Sequence, residues 1–401
     1  MVHNKRVKIT KKDMKKLIII CAVFMFAVEV SSQCKYEFKD IITIPSTSIK
    51  DQASSGTCWS FAGISFVESE MMKSGRDSLN LSEMYVVNKC YLFKGERAVR
   101  YHGQNSFGGG GALEDVLWVM DNYGLVPESV YTGLQYGKEE HNHGELDAVL
   151  SSLISTVSKR KGLTDGWKKA YKSVVESYLG VTPEAFEYEG KKYTPLTFSE
   201  ERIGLKRSDY IAITSFTHHP FYKEFILEVP DNWMYDVVMN VKLDELVSIV
   251  DNALQNGYSV LWGADVSESG FYWKEGVAIV PETETKNMTE SELARWVELD
   301  DKDKQRYGAT SPVKEKTITQ DMRQEAFDNY TTTDDHGMHI VGMAKDKEGK
   351  EYYKVKNSWN KSNQKDGYLY VSKAFFRYKT IDIVVNKAAL SKDMKKLLFE
   401  K

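Results

Sequence analysis

The chain has 401 residues, 42% of them apolar and 28% charged, with a net charge of −3. That balance is normal for a folded globular protein of one large domain or two ordinary ones, and it gives no electrostatic reason to expect a nucleic-acid binder. Four cysteines at this length exclude a disulfide scaffold; no apolar run reaches the roughly 18–20 residues of a spanning helix, and no repeat or low-complexity block stands out.

The N-terminus reads as a leader. After the basic stretch 1–13, "MKKLIIICAVFMFAVEVSSQ" opens at Met14 with two lysines, runs apolar from Leu17 to about Val28 and ends in small residues. This layout predicts a secretory signal peptide over 1–32, started at Met14 and cleaved before Gln33, with Val30 and Ser32 at −3 and −1. The alternatives are an N-terminal anchor or a lipoprotein at Cys34, the latter disfavoured because Gln33 is bulky. The expectation is a secreted or periplasmic protein with no membrane attachment after cleavage.

Cleavage leaves Cys34, Cys58 and Cys90, so at least one thiol has no partner within the chain. Cys90, in "VVNKCYLF", reads as a core cysteine or as a partner of Cys34. Cys58 lies in "DQASSGTCWSFAGISFVESE". Trp59, Ala62, Gly63, Phe66 and Val67 recur at the spacing of one face of a buried helix. Gly56 and Thr57 supply a turn, which puts Cys58 at the helix N-terminus. The free N–H groups and positive dipole end there favour a thiolate. Gln52 is near enough in sequence to turn its amide back on the thiol. The alternative is a plain core cysteine.

Further on, "SFGGGGALEDVLWVM" by itself reads as a flexible glycine loop. The stretch 138–248 is expected to be mainly helical: apolar residues recur at helical spacing twice in "GELDAVLSSLISTVSKRKGLTDGWKKAYKSVVESYLG", and its "KRK" reads as a solvated helix end. "VKLDELVSIVDNALQNG" is an amphipathic helix ended by Gly257, "YSVLWGADV" a buried strand, and "ETKNMTESELARWVELDDKDKQRYG" a charged, exposed helix pair.

A nucleophilic cysteine needs a base, and the base an orienting group. His141 and His143, and His218 and His219, lack a Cys or acidic partner at zinc spacing and read as surface residues; no metal is expected. His102 has no evident partner. His336 and His339 remain, in "TTDDHGMHIVGMAKDKEGKEYYKVKNSWNKSNQKDGYLYVS". "HIVGMA" and "YYKVKNSW" read as two strands joined by the turn "KDKEGK". His336 then precedes one strand and Asn357 ends the other, so Asn357 can hold the His336 ring and Trp359 can cover their hydrogen bond.

"QASSGTCWSFA", "DHGMHIVG" and "KNSW" together resemble the papain-like cysteine peptidases. The long separation of Cys58 from His336, and "NGYSVLWGADVSESGFYWKEGVAI", resemble their bleomycin hydrolase/aminopeptidase C branch. The resemblance covers most of 42–398 and is loose over about 138–248. It implies an α+β, two-lobe fold: a helical lobe over 33–137, a large insertion over 138–248, and a β-rich lobe with a C-terminal helix over 249–401. It implies Cys58 as nucleophile, His336 as base, Asn357 as its orienter, and Gln52 with the Cys58 N–H as oxyanion donors. Gly110 and Gly111 match a pair lining the substrate backbone, with Trp59 and Trp359 also counted among substrate-contacting residues. His339 reads as a packing residue.

The implied activity is hydrolysis of peptide substrates without a cofactor, in the manner of an aminopeptidase; the family also suggests a homo-oligomer, commonly a hexamer. Three departures stand out. Ser55 replaces a disulfide cysteine common among papain relatives, Asn360 stands where Gly is usual, and the sequence stops after the final helix where the family carries a cleft-filling arm. The third raises endopeptidase or dipeptidyl peptidase action as an alternative, unless an acidic residue of the insertion takes over. A catalytically silent peptide-binding protein is the rival from another class.

Overall fold

The structure, a computed structural model, describes residues 35–400. The predicted leader and Cys34 lie outside the described residues. Most of the β-structure forms one sheet of eleven strands. Its order runs Glu224–Ile226, Val237–Asn240, Tyr210–Thr214, Thr380–Asn386, Val260–Ala264, His336–Lys345, Glu351–Lys356, Tyr368–Ser372, Val277–Ala278 and Phe271–Tyr272, while Lys39–Thr43 pairs beside His336–Lys345.

The long strand His336–Lys345 organises the site. It pairs antiparallel with Glu351–Lys356, as the hairpin reading expects, and on its other side with Val260–Ala264, opposing His336 to Ala264. Both neighbours are apolar where they face the core, and Val260–Ala264 is buried throughout, as a strand between two others must be. Helix Leu243–Gln255 packs its apolar stripe under the sheet, and Gly257 follows in the left-handed conformation that ends it.

Two large hydrophobic clusters, with a small third one about Tyr36 and Tyr352, make up the core of the described residues. One gathers the helices Cys58–Lys73, Glu83–Arg100 and Asp115–Tyr123; the other lies between the sheet and helices Leu243–Gln255 and Lys373–Lys379. This is the α+β, two-lobe arrangement expected. Helix Cys58–Lys73 is a buried helix, as its spacing predicts: Trp59 to Met71 are all buried, so it is wrapped on every side. Each large apolar side chain there contributes about 1.5–3 kcal/mol of burial.

The stretch 138–248 carries helices and, beside them, strands that the sequence reading did not include. Its helices Gly144–Val157 and Gly166–Leu179 pack into the same cluster as Cys58–Lys73. Its strands Tyr210–Thr214, Glu224–Ile226 and Val237–Asn240 extend the main sheet. The sequence hides these strands because they are short, and only pairing with Thr380–Asn386 recruits them. The charged helices Glu290–Glu298 and Asp301–Gln305 bury no residue, as expected.

Candidate active site

Cys58 opens its helix after Thr57, whose side chain does not cap it. Thr57 Oγ1 instead bonds to Ser55 Oγ at 2.6 Å. The first-turn N–H groups are therefore left for the sulfur, and the backbone N–H of Trp59 favours its thiolate. So does the N–H of Gly337, from the strand that carries His336. Helix and hairpin thus meet at the thiol, which remains partly exposed. Ser55, in place of a cysteine, is buried and donates to the Gln52 carbonyl at 2.7 Å, so hydrogen bonds hold this turn.

The hairpin brings His336 and Asn357 together, with Nε2 and Oδ1 2.8 Å apart. Asn357 Oδ1 also accepts the Ser358 backbone N–H at 2.7 Å, which fixes the amide as an acceptor on that side. The His336 Nε2 must therefore carry the proton in this bond, leaving Nδ1 as the basic nitrogen. Trp359 lies over the imidazole, ring centres 4.5 Å apart, and is itself packed by Phe271 and Trp273. Asp335 secures the segment before His336 by accepting the N–H groups of Val266 and Ser267 at 2.8 and 3.2 Å.

Gln52 is buried beside the hairpin. Its Oε1 accepts the Ser358 hydroxyl at 2.7 Å, and Nε2 donates to the Ser55 carbonyl at 2.9 Å, leaving the second amide hydrogen for a ligand. Ser358 was missed by sequence reasoning; it is the middle residue of "NSW", and its hydroxyl sets which way the Gln52 amide faces. Asn360, where Gly is usual, takes the left-handed conformation with φ 54° and donates to Asp51 at 2.9 Å. Asparagine tolerates that conformation better than other non-glycine residues, so the departure leaves the turn intact.

The two glycines face different things. Gly111 lines the cleft with Cys58, and a Cβ there would strike the Trp59 ring. Gly110 has the Asp231 carboxylate where its Cβ would stand, and its carbonyl accepts the Lys94 ammonium. Trp59 is 1% exposed and donates to the Gly109 carbonyl at 3.0 Å, so it acts chiefly as the floor under the glycine loop. Cys58, Trp59, Gly111 and His336 line one cleft with Glu114, Asp231, Asp334, Asp335 and Asp382. Sequence reasoning singled out none of these acids, although Asp334 and Asp335 stand directly before His336.

Burial pushes the Cys58 thiol up to about 12, with Asp231 and Asp334 adding to the rise and the Gly337 and Trp59 amides opposing it. Burial takes His336 down to about 4, opposed by its bond to Asn357. Both shifts favour the neutral thiol and imidazole, whereas the helix N-terminus alone suggested a thiolate. Each shift is the cost of charging one group alone. Moving the proton from Cys58 to His336 charges both at once, and their attraction offsets part of that cost.

Other sequence candidates fall elsewhere. His339 is buried inside the strand, where its Nδ1 accepts from Ser65 at 2.9 Å, and Lys356 donates to the same hydroxyl at 2.7 Å. His143 corrects the surface reading: it is fully buried against the Tyr91 ring, and burial takes it down to about 4. His218 and His219 do have an acidic partner, because Glu228 accepts from both Nε2 atoms at 3.1 and 2.7 Å; these three are the one group among the described residues that could hold a metal ion. Cys90 is fully buried and unpaired among the described residues. His102 is exposed.

A thiol at a helix N-terminus that shares a cleft with an asparagine-held histidine fits a cysteine peptidase architecture. The Peptidase C1-like family model matches residues 4–295 and 301–401, and the chain belongs to that family of cysteine peptidases. Aminopeptidase C of Streptococcus thermophilus is 23% identical over 407 residues, spanning 90% of this chain and 85% of its own. Bleomycin hydrolase of Rattus norvegicus is 22% identical over 403 residues, spanning 88% and 83%. Among solved structures, PepW from Lactobacillus rhamnosis HN001 superimposes with a TM-score of 0.67 at 18% identity, covering 98% of this chain and 95% of that one. At that identity the likeness concerns the fold.

Proposed function

We propose that the chain is an exported, aminopeptidase-like cysteine peptidase. The observation that carries the catalytic assignment is the His336 Nε2–Asn357 Oδ1 bond, on a strand whose His336 and Gly337 line the same cleft as Cys58. In this reading Cys58 gives its proton to His336 as the sulfur attacks the peptide carbonyl. The oxyanion is held by the Cys58 N–H and the second Gln52 amide hydrogen. Each such donor is worth about 10²–10³ in rate in analogous sites. His336 then protonates the leaving amine, and water hydrolyses the thioester. Asn357 is neutral, so it orients the ring without pinning the proton there.

The named relatives support aminopeptidase action, and the leader's layout supports export. The test uses the mature chain and its Cys58→Ala variant on one peptide, supplied with a free and with an acetylated N-terminus and followed by mass spectrometry. Stepwise loss of single residues from the free form alone is expected. Internal cuts in both forms would assign an endopeptidase, and no Cys58-dependent cleavage would leave a binding protein. N-terminal sequencing of secreted material should begin at Gln33.

A further inference from the structure

The cleft beside Cys58 is lined by five carboxylates, Glu114, Asp231, Asp334, Asp335 and Asp382, and by no lysine or arginine. They come from four separate parts of the chain and feel one another: Asp334 faces Asp231, Asp335 and Glu114, while Asp382 faces Glu114 and Asp334. Folding gathers like charges only against a cost, so the arrangement calls for a compensating cation.

The protein compensates them unequally. Asp335 is committed to two backbone N–H groups. Cations behind the wall serve some of the others: Arg323 faces Asp382, Lys94 faces Asp231, and Arg207 faces Glu114. No cation faces Asp334, whose carboxyl also makes no hydrogen bond or ion pair among the described residues. Glu114 is 7% exposed, lines the same cleft, and its Oε1 has no hydrogen-bond partner. A buried oxygen left in that state is expensive unless a donor arrives.

Accepting that the cleft is a peptidase site, we propose that this pocket is a specificity site for a cationic nitrogen of the substrate, held by Asp334 and Asp231 with Glu114 at its back wall, next to the carbonyl that Cys58 attacks. The nitrogen is either the peptide's free α-ammonium or the side chain of a lysine or arginine near the scissile bond. Either replaces carboxylate repulsion with charge-assisted hydrogen bonds. Burial and the neighbouring acids hold the Asp334 carboxyl up to about 8 and Glu114 up to about 7. An arriving cation therefore also displaces protons from the pocket.

The experiment measures kcat/KM on reporter amides in two matched pairs: free against acetylated N-terminus, and, with the N-terminus acetylated, lysine against norleucine beside the scissile residue. In the wild type at least one pair should favour the cation by about ten- to a hundredfold, the worth of one or two charge-assisted hydrogen bonds. The pair that responds identifies the source of the nitrogen. Asp334→Asn and Asp231→Asn should each bring that ratio towards one, and Asp334→Glu should keep most of it. Ratios near one in the wild type, or a preference that survives in both Asn variants, overturn the proposal. Calorimetric binding of the same peptides to Cys58→Ala separates this from the peptidase reading. Cation-selective binding without wild-type turnover sinks the peptidase and keeps the pocket; turnover without selectivity, in either assay, does the reverse.

Discussion

The His336–Asn357 pair and the carboxylate pocket share one cleft but are built in opposite ways. The pair stands at the ends of two adjacent strands, 21 residues apart in sequence, and His336 Nε2 and Asn357 Oδ1 are bonded to each other, although the buried Asn357 Nδ2 has no partner. The pocket draws on residues 114, 231, 334 and 382, and its central carboxylates face one another largely unpartnered. A local, hydrogen-bonded arrangement holds a reacting group in place. An unsatisfied, non-local one waits for something from outside.

The largest expected effect lies on the side of the Cys58–His336–Asn357 cluster. Cys58→Ala should lower kcat by on the order of 10⁵–10⁶, as loss of a nucleophile does elsewhere, while the melting temperature stays close to wild type because the side chain is small and partly exposed. Asn357→Ala should cost less, up to about 10² in kcat with KM little changed, because the ring loses its orientation but keeps its proton-transfer role. An equal loss in both variants would mean that Asn357 does more than orient.

The same contrast explains what could be read in advance. Cys58, Gln52, His336 and Asn357 announce themselves because each sits in a short block whose local structure follows from spacing: a turn into a helix, or a hairpin about "KDKEGK". Even Asn360, a departure from the expected glycine, keeps the left-handed backbone. Asp231 could not be read in this way. It belongs to a segment whose strands form only when Tyr210–Thr214 finds Thr380–Asn386, and nothing within "VPDNW" points to a thiol far away in sequence. The burial of His143 was missed for the same reason, since its cover comes from Tyr91 on another helix. Asp334 was visible beside His336, but its lack of a partner is a fact of the fold alone.

Two smaller effects probe the pocket side. Gly110→Ala would drive a methyl group into the Asp231 carboxylate, at an overpacking cost of about 1–3 kcal/mol, read as a lower melting temperature. It should also weaken any preference for cationic substrates, which a purely structural glycine would leave alone. Smallest is a change in pH dependence. The folded Asp334 carboxyl sits near 8, above its ordinary value of about 4, so the folded state keeps a proton that the unfolded state has released. Its contribution to stability is present at low pH and is lost as pH rises through about 8. Asp334→Asn should therefore reduce the fall in melting temperature between about pH 5 and pH 9. An unchanged fall would mean that Asp334 is not buried against its neighbours as described.

The most direct test of the central claim, that His336 activates Cys58, is the rate of alkylation of the native chain by iodoacetamide, located by peptide mapping between pH 5 and pH 9. The account predicts rapid modification of Cys58 while buried Cys90 stays unmodified, and a rate at pH 6 that His336→Ala lowers by about tenfold or more. A Cys58 rate that is the same with and without the imidazole would contradict it.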